Sequence, residues 1–352
     1  TIMNHKVYSR NNVVASDSSI NKEYKGDIVY PINTAIGCGF RCNFCINVIL
    51  KKKYKMRSAE EIVNRIKFLQ KEYGANYIHF NDENFFGSKK RTYQFVELIL
   101  SNDIRIKWRP SVRANYFNKD FVNDSFVKDL ERSGMVVAVM GGESASQKTL
   151  DRLKKGITVE DIHRAVEILS KTKIIPKMSF MVGLPGETEK EIRETYKLAV
   201  ELKEKYPTFQ SAVFPFRLYP GSELYDLSIS KYGYKPPESL VDWVKNDEIE
   251  DKGSWGYQHS KSYNWITDKE IFELRNNVHS TYRTFAWKVS PHVVNKGLKA
   301  KFKYLIICLF YKLSTIRLKK EFYRLNLEHM LMRLFKIWMW RCDSYFDAEW
   351  FF

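Results

Sequence analysis

Three cysteines within eight residues, Cys38-Gly-Phe-Arg-Cys42-Asn-Phe-Cys45, form the stretch of this 352-residue chain best suited to chemistry. Thiolates at spacings of four and three can converge on one soft metal centre. A tetrahedral zinc site needs a fourth ligand, and no His or Cys lies nearby in sequence. Ferredoxin-type clusters also take four cysteines, and Cys308 and Cys342 lie far off in a basic tail. Three ligands on an iron–sulfur cubane leave one iron open for a substrate or cofactor. Zinc completed by a remote His or Asp is the blander alternative. An odd number of clustered cysteines argues against a disulfide framework and for a reducing compartment, by default the cytoplasm.

The elements that must position this loop follow an alternating pattern from about Asp27 to Leu218. Ser58-Ala-Glu-Glu61 is a capping box, and Ile62, Ile66 and Leu69 follow at helical spacing until Gly74 stops the helix. Residues 77–80 read as a strand, 88–100 as a helix, and 104–112 as a strand leading into a loop. Residues 136–140 form a buried, β-branched strand bounded by glycines. Thr158 and Thr188 begin two more capped helices, with strands over 177–182 and 211–218. With the strand before Cys38 there are six β-α steps, which implies parallel strands and right-handed crossovers. In such sheets ligands gather at the C-terminal ends of the strands. The polar clusters at residues 81–84, 141–144 and 183–187 fall there.

Composition excludes several classes. At 44% apolar residues the chain is globular. No secretory signal is expected in the first residues, and the longest apolar run, Tyr304 to Tyr311, is too short to span a bilayer. Of the net charge of +17, residues 296–341 carry +10, with twelve Lys/Arg against Glu321 and Glu328. The remainder is unremarkable for its length.

The C-x3-C-x2-C loop, with Phe44 just before its last cysteine, resembles the radical S-adenosylmethionine (radical SAM) superfamily. The order of the other motifs over residues 28–225 supports that resemblance. It implies a partial (β/α)6 TIM-like barrel, an α/β fold, here with a helical C-terminal extension. It implies that Cys38, Cys42 and Cys45 bind a 4Fe–4S cluster whose open iron takes S-adenosylmethionine, which is split to a 5′-deoxyadenosyl radical. Phe44 would lie beside the adenine. Asp82 or Glu83, ending the second strand, would receive the cofactor's amino group, and Arg113 its carboxylate. Glu143 and Ser144 resemble the fourth-strand polar pair near the methionine or ribose, with Gly141 and Gly142 allowing close backbone approach. Residues 180–188 resemble the fifth-strand segment near adenine, where Glu187 complements a helix N-terminus instead.

The wording of these motifs, GGES followed by Lys-Lys-Gly156 and then FMVGLPGET, looks most like the cobalamin-associated branch of methyltransferases and ring cyclases. Members usually carry an N-terminal cobalamin domain with a D-x-H-x-x-G loop. Only about 27 residues precede the core here, so cobalamin is conditional on a domain outside this chain. Asp161-Ile-His163 shares two residues of that signature, but Val166 replaces its glycine within a capped helix.

The expected organisation is a lead-in over 1–27, a core over 28–230, and a mostly helical, basic and aromatic region over 231–352. The expected activity is radical chemistry on an unactivated carbon of a small or lipid-like substrate, with methyl transfer included. The alternatives are a radical oxidase or cyclase, and a non-catalytic iron–sulfur or zinc-stabilised binding protein. The expected partners are a reducing electron donor and an anionic membrane surface met peripherally by the basic C-terminus, with nucleic acid ranked below. Trp338, Trp340, Trp350, Phe351 and Phe352 suit a membrane interface or a packed core equally.

Overall fold

The computed structural model describes residues 27–50, 53–242 and 298–323, and single positions at 265, 278, 281, 282 and 331. The expected N-terminal lead-in apart from Asp27, most of the expected helical region over 231–352, and the terminal tryptophans lie outside the described residues. From the N-terminal side, β1 (Val29–Ile32) leads to a short β2 (Ala35–Ile36), the cysteine loop and α1 (Ile46–Ile49). The chain returns through β3 (Lys55–Met56), antiparallel to β2 with Ala35 opposite Met56 and Ile36 opposite Lys55. This small ladder, which the sequence pattern does not announce, ties the two ends of the cysteine excursion together.

The capping box at Ser58 opens α2 (Ala59–Tyr73) as expected, and Gly74 closes it in the left-handed region at φ +67°. Then follow β4 (Tyr77–Phe80), α3 (Lys89–Ser101), β5 (Lys107–Arg109) and β6 (Ser111–Val112). The expected single strand over 104–112 is therefore split. Pro110 has no N–H to donate, though its carbonyl still accepts from the Val139 amide at 3.1 Å. Beyond lie α4 (Phe126–Arg132), β7 (Val137–Glu143), α5 (Gln147–Arg152), α6 (Val159–Ser170), β8 (Ile175–Val182), α7 (Glu189–Lys205), β9 (Gln210–Pro215) and α8 (Glu223–Tyr232). His163 is exposed on α6, and α8 runs across residue 230.

The strands are parallel and in sequential order, β1-β4-β5 in one sheet and β6-β7-β8-β9 in the other. A parallel bridge from Trp108 to Met135 joins the two across the Pro110 break. This is a mixed α/β architecture. Its main core centres on aromatic side chains: Phe80, Phe85 and Phe95 pack around Trp108, with ring centroids 5.2–5.8 Å from it. The indole N–H donates to the Ser133 carbonyl at 2.9 Å, so the buried polar atom is satisfied. A second cluster of Leu153, Leu184, Phe216, Leu218, Leu224 and Tyr234 lies at the C-terminal ends of the strands, with Phe44 packed on it.

The C-terminal α9 (Leu298–Lys320) rests on α7 through buried Phe310, Ser314 and Leu318 and a 2.9 Å pair between Lys319 and Glu204. Glu321 ends it at φ +50°. No helix among the described residues is long and apolar enough to cross a membrane.

Trp108 is wholly buried and joins the two sheets, so Trp108→Ala is expected to cost about 3–5 kcal/mol of unfolding free energy, read from urea denaturation. A loss below about 1 kcal/mol would show that the aromatic cluster does not hold the sheets together.

Candidate cofactor site at the cysteine loop

Cys42 is buried, whereas Cys38 and Cys45 are partly exposed; all three are free thiols. Asn43, between them, anchors the loop. Its amide donates to the Leu153 carbonyl (3.1 Å), its side-chain amide to the Arg152 carbonyl (2.8 Å), and its carbonyl accepts from Leu224 (3.0 Å). The end of α5 and the start of α8 thus hold the loop from outside. Burial pushes the Cys38 thiol above its ordinary value; the backbone at Phe40 and the charge of Arg113 pull it down, and Cys42 and Cys45 push it further up. Among the described residues, no trio of His, Cys, Asp or Glu side chains already stands as a metal site.

Arg113, at the end of β6, is buried rather than on the surface. Its guanidinium donates to Cys42 Sγ at 3.8 Å, to the Lys155 carbonyl, and to the Gly156 carbonyl at 3.3 Å, and lies 3.5 Å over the Phe40 ring. Among the described residues no carboxylate pairs with it. A buried cation without an anionic partner is costly, so its environment calls for negative charge from the thiols.

Glu143 ends β7 at φ +61°, a strained position for a residue with a side chain, where the register to β8 shifts. Its Oε1 accepts from Lys155 Nζ at 2.6 Å, and both side chains are about nine-tenths buried. Lys155 Nζ also lies 5.9 Å from the Phe44 ring. Phe44, Arg113, Glu143 and Lys155 thus meet beside the cysteine loop. Lys155 is the functional candidate that the sequence pattern missed. It sits twelve residues from Glu143 on a loop, and no helical or strand periodicity links such positions.

Other candidates turn inward. Asp82, expected to face the cofactor, spends both oxygens on the chain: Oδ1 accepts from the Thr34 amide (2.6 Å) and Ala35 amide (3.0 Å), and Oδ2 from the Thr34 hydroxyl. Arg91 lies 4.0 Å from Oδ2. Asp82 therefore fixes the turn that launches β2, while Glu83 beside it is exposed. Ser144 is wholly buried and bonds to Thr195 of α7 (3.3 Å) and the Ser146 amide (3.1 Å). A Cβ on Gly142 would stand 2.5 Å from Met178 Sδ, and one on Gly141 2.1 Å from Glu143 Oε1. Both glycines make room for the protein's own side chains. Asn84, the last of the second-strand cluster, donates to the Tyr116 hydroxyl at 2.7 Å and accepts from Tyr54 at 2.8 Å through its carbonyl. Among the described residues, the buried Asn43 Oδ1, Asn84 Oδ1 and Arg113 Nε have no hydrogen-bond partner.

Glu187 accepts from the Gly183 (2.7 Å) and Leu184 (3.0 Å) amides. Burial pushes its carboxyl up to about 8, against the pull of those amides and Arg152. Glu191 behaves oppositely: burial raises it, but hydrogen bonds from Thr188, Ser146 and Thr149 prevail and hold it at about 2.

Known proteins resemble this chain. The radical SAM superfamily model matches residues 32–199. An uncharacterized methyltransferase of Pyrococcus horikoshii is 32% identical over 211 residues, 59% of this chain and 44% of that protein. The anaerobic magnesium-protoporphyrin IX monomethyl ester cyclase of Rubrivivax gelatinosus is 25% identical over 234 residues, covering 64% and 41%. The chain spans less than half the length of these curated relatives. Among solved structures, the methyltransferase TsrM from Kitasatospora setae superposes with TM-score 0.51 at 20% identity, covering 62% of this chain and 40% of that one. The cobalamin-dependent S-adenosylmethionine radical enzyme OxsB gives 0.55 at 16%, covering 88% and 50%. These structural likenesses speak to the fold.

Two outcomes are expected. Lys155→Met strands a buried carboxylate and costs about 3–5 kcal/mol in urea unfolding, and adding Glu143→Gln recovers much of it; no recovery would mean that Lys155 acts by packing alone. For Glu187 the folded value lies above the ordinary 4.5, so its protonated form adds stability that is complete below 4.5 and lost as pH rises through about 8. Glu187→Gln should flatten the fall of unfolding free energy over that window, and an unchanged slope would contradict the burial argument. With the cysteine loop, the parallel β-α order and the family match in agreement, residues 32–199, a little under half of this chain, match the radical SAM superfamily.

Proposed function

We propose that this chain is a radical SAM enzyme in which Cys38, Cys42 and Cys45 hold a 4Fe–4S cluster at the mouth of a partial (β/α)6 barrel. The observation that carries the reading is buried Arg113, a cation on Cys42 Sγ with no carboxylate partner among the described residues. Three soft thiols on one anchored loop suit iron, and the unpartnered Asn43 Oδ1, Asn84 Oδ1 and Arg113 Nε beside them await polar contacts. When bound, the cluster and S-adenosylmethionine supply reductive cleavage of the sulfonium and a 5′-deoxyadenosyl radical. Lys155 and Glu143 offer one cation and one carboxylate to the cofactor's polar groups, and Phe44 an apolar ring to its base. Arg113 fixes Cys42 and the Lys155 backbone together, and the cluster of Leu153, Leu184 and Phe216 keeps water from the floor beneath Phe44.

Relatives named as a methyltransferase and a cyclase support methyl transfer, or oxidation or cyclisation without it, as the reaction on an unactivated carbon of a small or lipid-like molecule, with cobalamin entering if a domain or partner supplies it. On α9 the exposed Leu305, Leu309, Leu313 and Ile316, beside Lys312 and Lys320, support the peripheral contact with an anionic surface. Co-sedimentation with anionic vesicles, weakened by salt and by Leu309→Glu, is the expected result; binding indifferent to both would remove that partner.

The enzymatic reading is tested by anaerobic reconstitution with iron and sulfide, then chromatography of small-molecule products after adding S-adenosylmethionine and a strong reductant. The wild-type chain is expected to release 5′-deoxyadenosine, and Cys42→Ser to lose it by at least about 100-fold. Cobalamin-dependent S-adenosylhomocysteine would identify methyl transfer. Equal cleavage by Cys42→Ser would overturn the ligand assignment.

A further inference from the structure

Side chains alternate between the two faces of each strand, and in the two parallel sheets those faces differ in kind. One face packs under the helices: Ile78, Phe80, Trp108, Met140, Met178 and Phe180 are at most 1% exposed and belong to the main core. The other face is partly open. It carries His79 on β4, Lys107 and Arg109 on β5, Ser111 on β6, and Lys177 and Ser179 on β8. Register brings them side by side, with His79 opposite Arg109, and Val139 standing between Ser111 and Lys177. Arg109 is buried, whereas His79, Ser111, Lys177 and Ser179 are half-buried.

The interior face of such a sheet is ordinarily filled by branched apolar side chains, which carry no desolvation cost. Packing alone gives no reason to place an arginine, a lysine and a histidine there. All nine strands contribute a single carboxylate, Glu143 at the end of β7, and Lys155 takes it at 2.6 Å. Lys107, at the start of β5, meets Asp27 at 2.9 Å. Arg109 and Lys177 both make contacts within the protein, so neither is a bare charge. Positive charge is nevertheless concentrated on the partly open face. Beyond Lys177 that face continues through Ser179 to Met181, which packs on the same apolar cluster as Phe44 of the cysteine loop. From Lys177 to Val182, where β8 ends, the strand rises about 17 Å.

We propose that Arg109 and Lys177, with His79, form a subsite for the carboxylate or phosphate of an elongated small-molecule substrate. The arginine supplies a planar fork of donors and the lysine a point charge, which suit either anion. The anionic end lies against these side chains, and the apolar remainder runs past Met181 toward the cysteine loop. A compact molecule would not reach from one to the other. The inference rests on the enzymatic reading above and adds the class of its substrate.

The test is calorimetric titration of the full chain, cluster-loaded and apo, with octanoate, octyl phosphate and octanamide. The three share one chain length, and octanamide alone lacks a charge. At least one anion should bind about tenfold or more tighter than octanamide, and the tighter anion tells carboxylate from phosphate. Lys177→Gln should weaken that anion about tenfold and leave octanamide unchanged. Lys312→Gln/Lys320→Gln on α9 should bind as wild type. Equal binding of octanamide, indifference to Lys177→Gln, or an equal loss in the α9 variant would overturn the subsite. The octanamide comparison uses the unaltered chain, so it decides the question even where Lys177→Gln fails to fold. Binding by the apo chain is independent of the cluster. A chain that releases 5′-deoxyadenosine from S-adenosylmethionine but ignores both anions refutes this subsite alone. A chain that binds an anion through Lys177 but never takes up iron and sulfide refutes the enzymatic reading instead.

Discussion

The buried guanidinium of Arg113 is the constraint around which this site is organised. In a poorly polarisable interior a cation must find negative charge or strong acceptors, and this one has a thiol, two carbonyls and a ring face. Those acceptors come from the cysteine loop and from the loop after α5, so one side chain fixes the distance between two segments far apart in sequence. Among the described residues no carboxylate answers that cation, and the thiol of Cys42 is the side-chain acceptor it meets.

Around that contact the protein arranges side chains bonded to its own backbone and neighbours. Asp82 locks the turn at Thr34, Asn43 pins the middle of the cysteine loop, and Ser144 and Ser146 tie the β7 exit to α7. The bare backbone at Gly141 and Gly142 leaves space for the Glu143–Lys155 pair and for Met178. Residues that look like ligands in a motif are therefore divided between those at the surface of the site and those that hold it rigid.

Much of this was legible beforehand. Capping boxes at Ser58, Thr158 and Thr188, and β-branched runs such as 136–140, placed the β-α steps because local hydrogen bonds and side-chain period decide them. The cysteine spacing pointed to the loop that the family match then covered, because three thiols so close have few other uses. What stayed hidden depends on tertiary pairing. The β2–β3 ladder has two residues per strand and too little pattern to read. The Pro110 break needed the partner strand to show its consequence, and the Glu143–Lys155 pair needed the loop to fold back. For the Asp82 or Glu83 expectation, sequence shows that carboxylates end a strand, not that Asp82 turns to the Thr34 and Ala35 amides.

In the proposed site three cysteines hold a cluster with one iron left open to S-adenosylmethionine. Electron paramagnetic resonance of the reconstituted, reduced protein with and without S-adenosylmethionine is the direct test. The expected spectrum is that of a reduced 4Fe–4S centre whose g values shift when S-adenosylmethionine is added. A fully ligated cluster with a signal indifferent to S-adenosylmethionine, or zinc bound in preference to iron and sulfide, would contradict it.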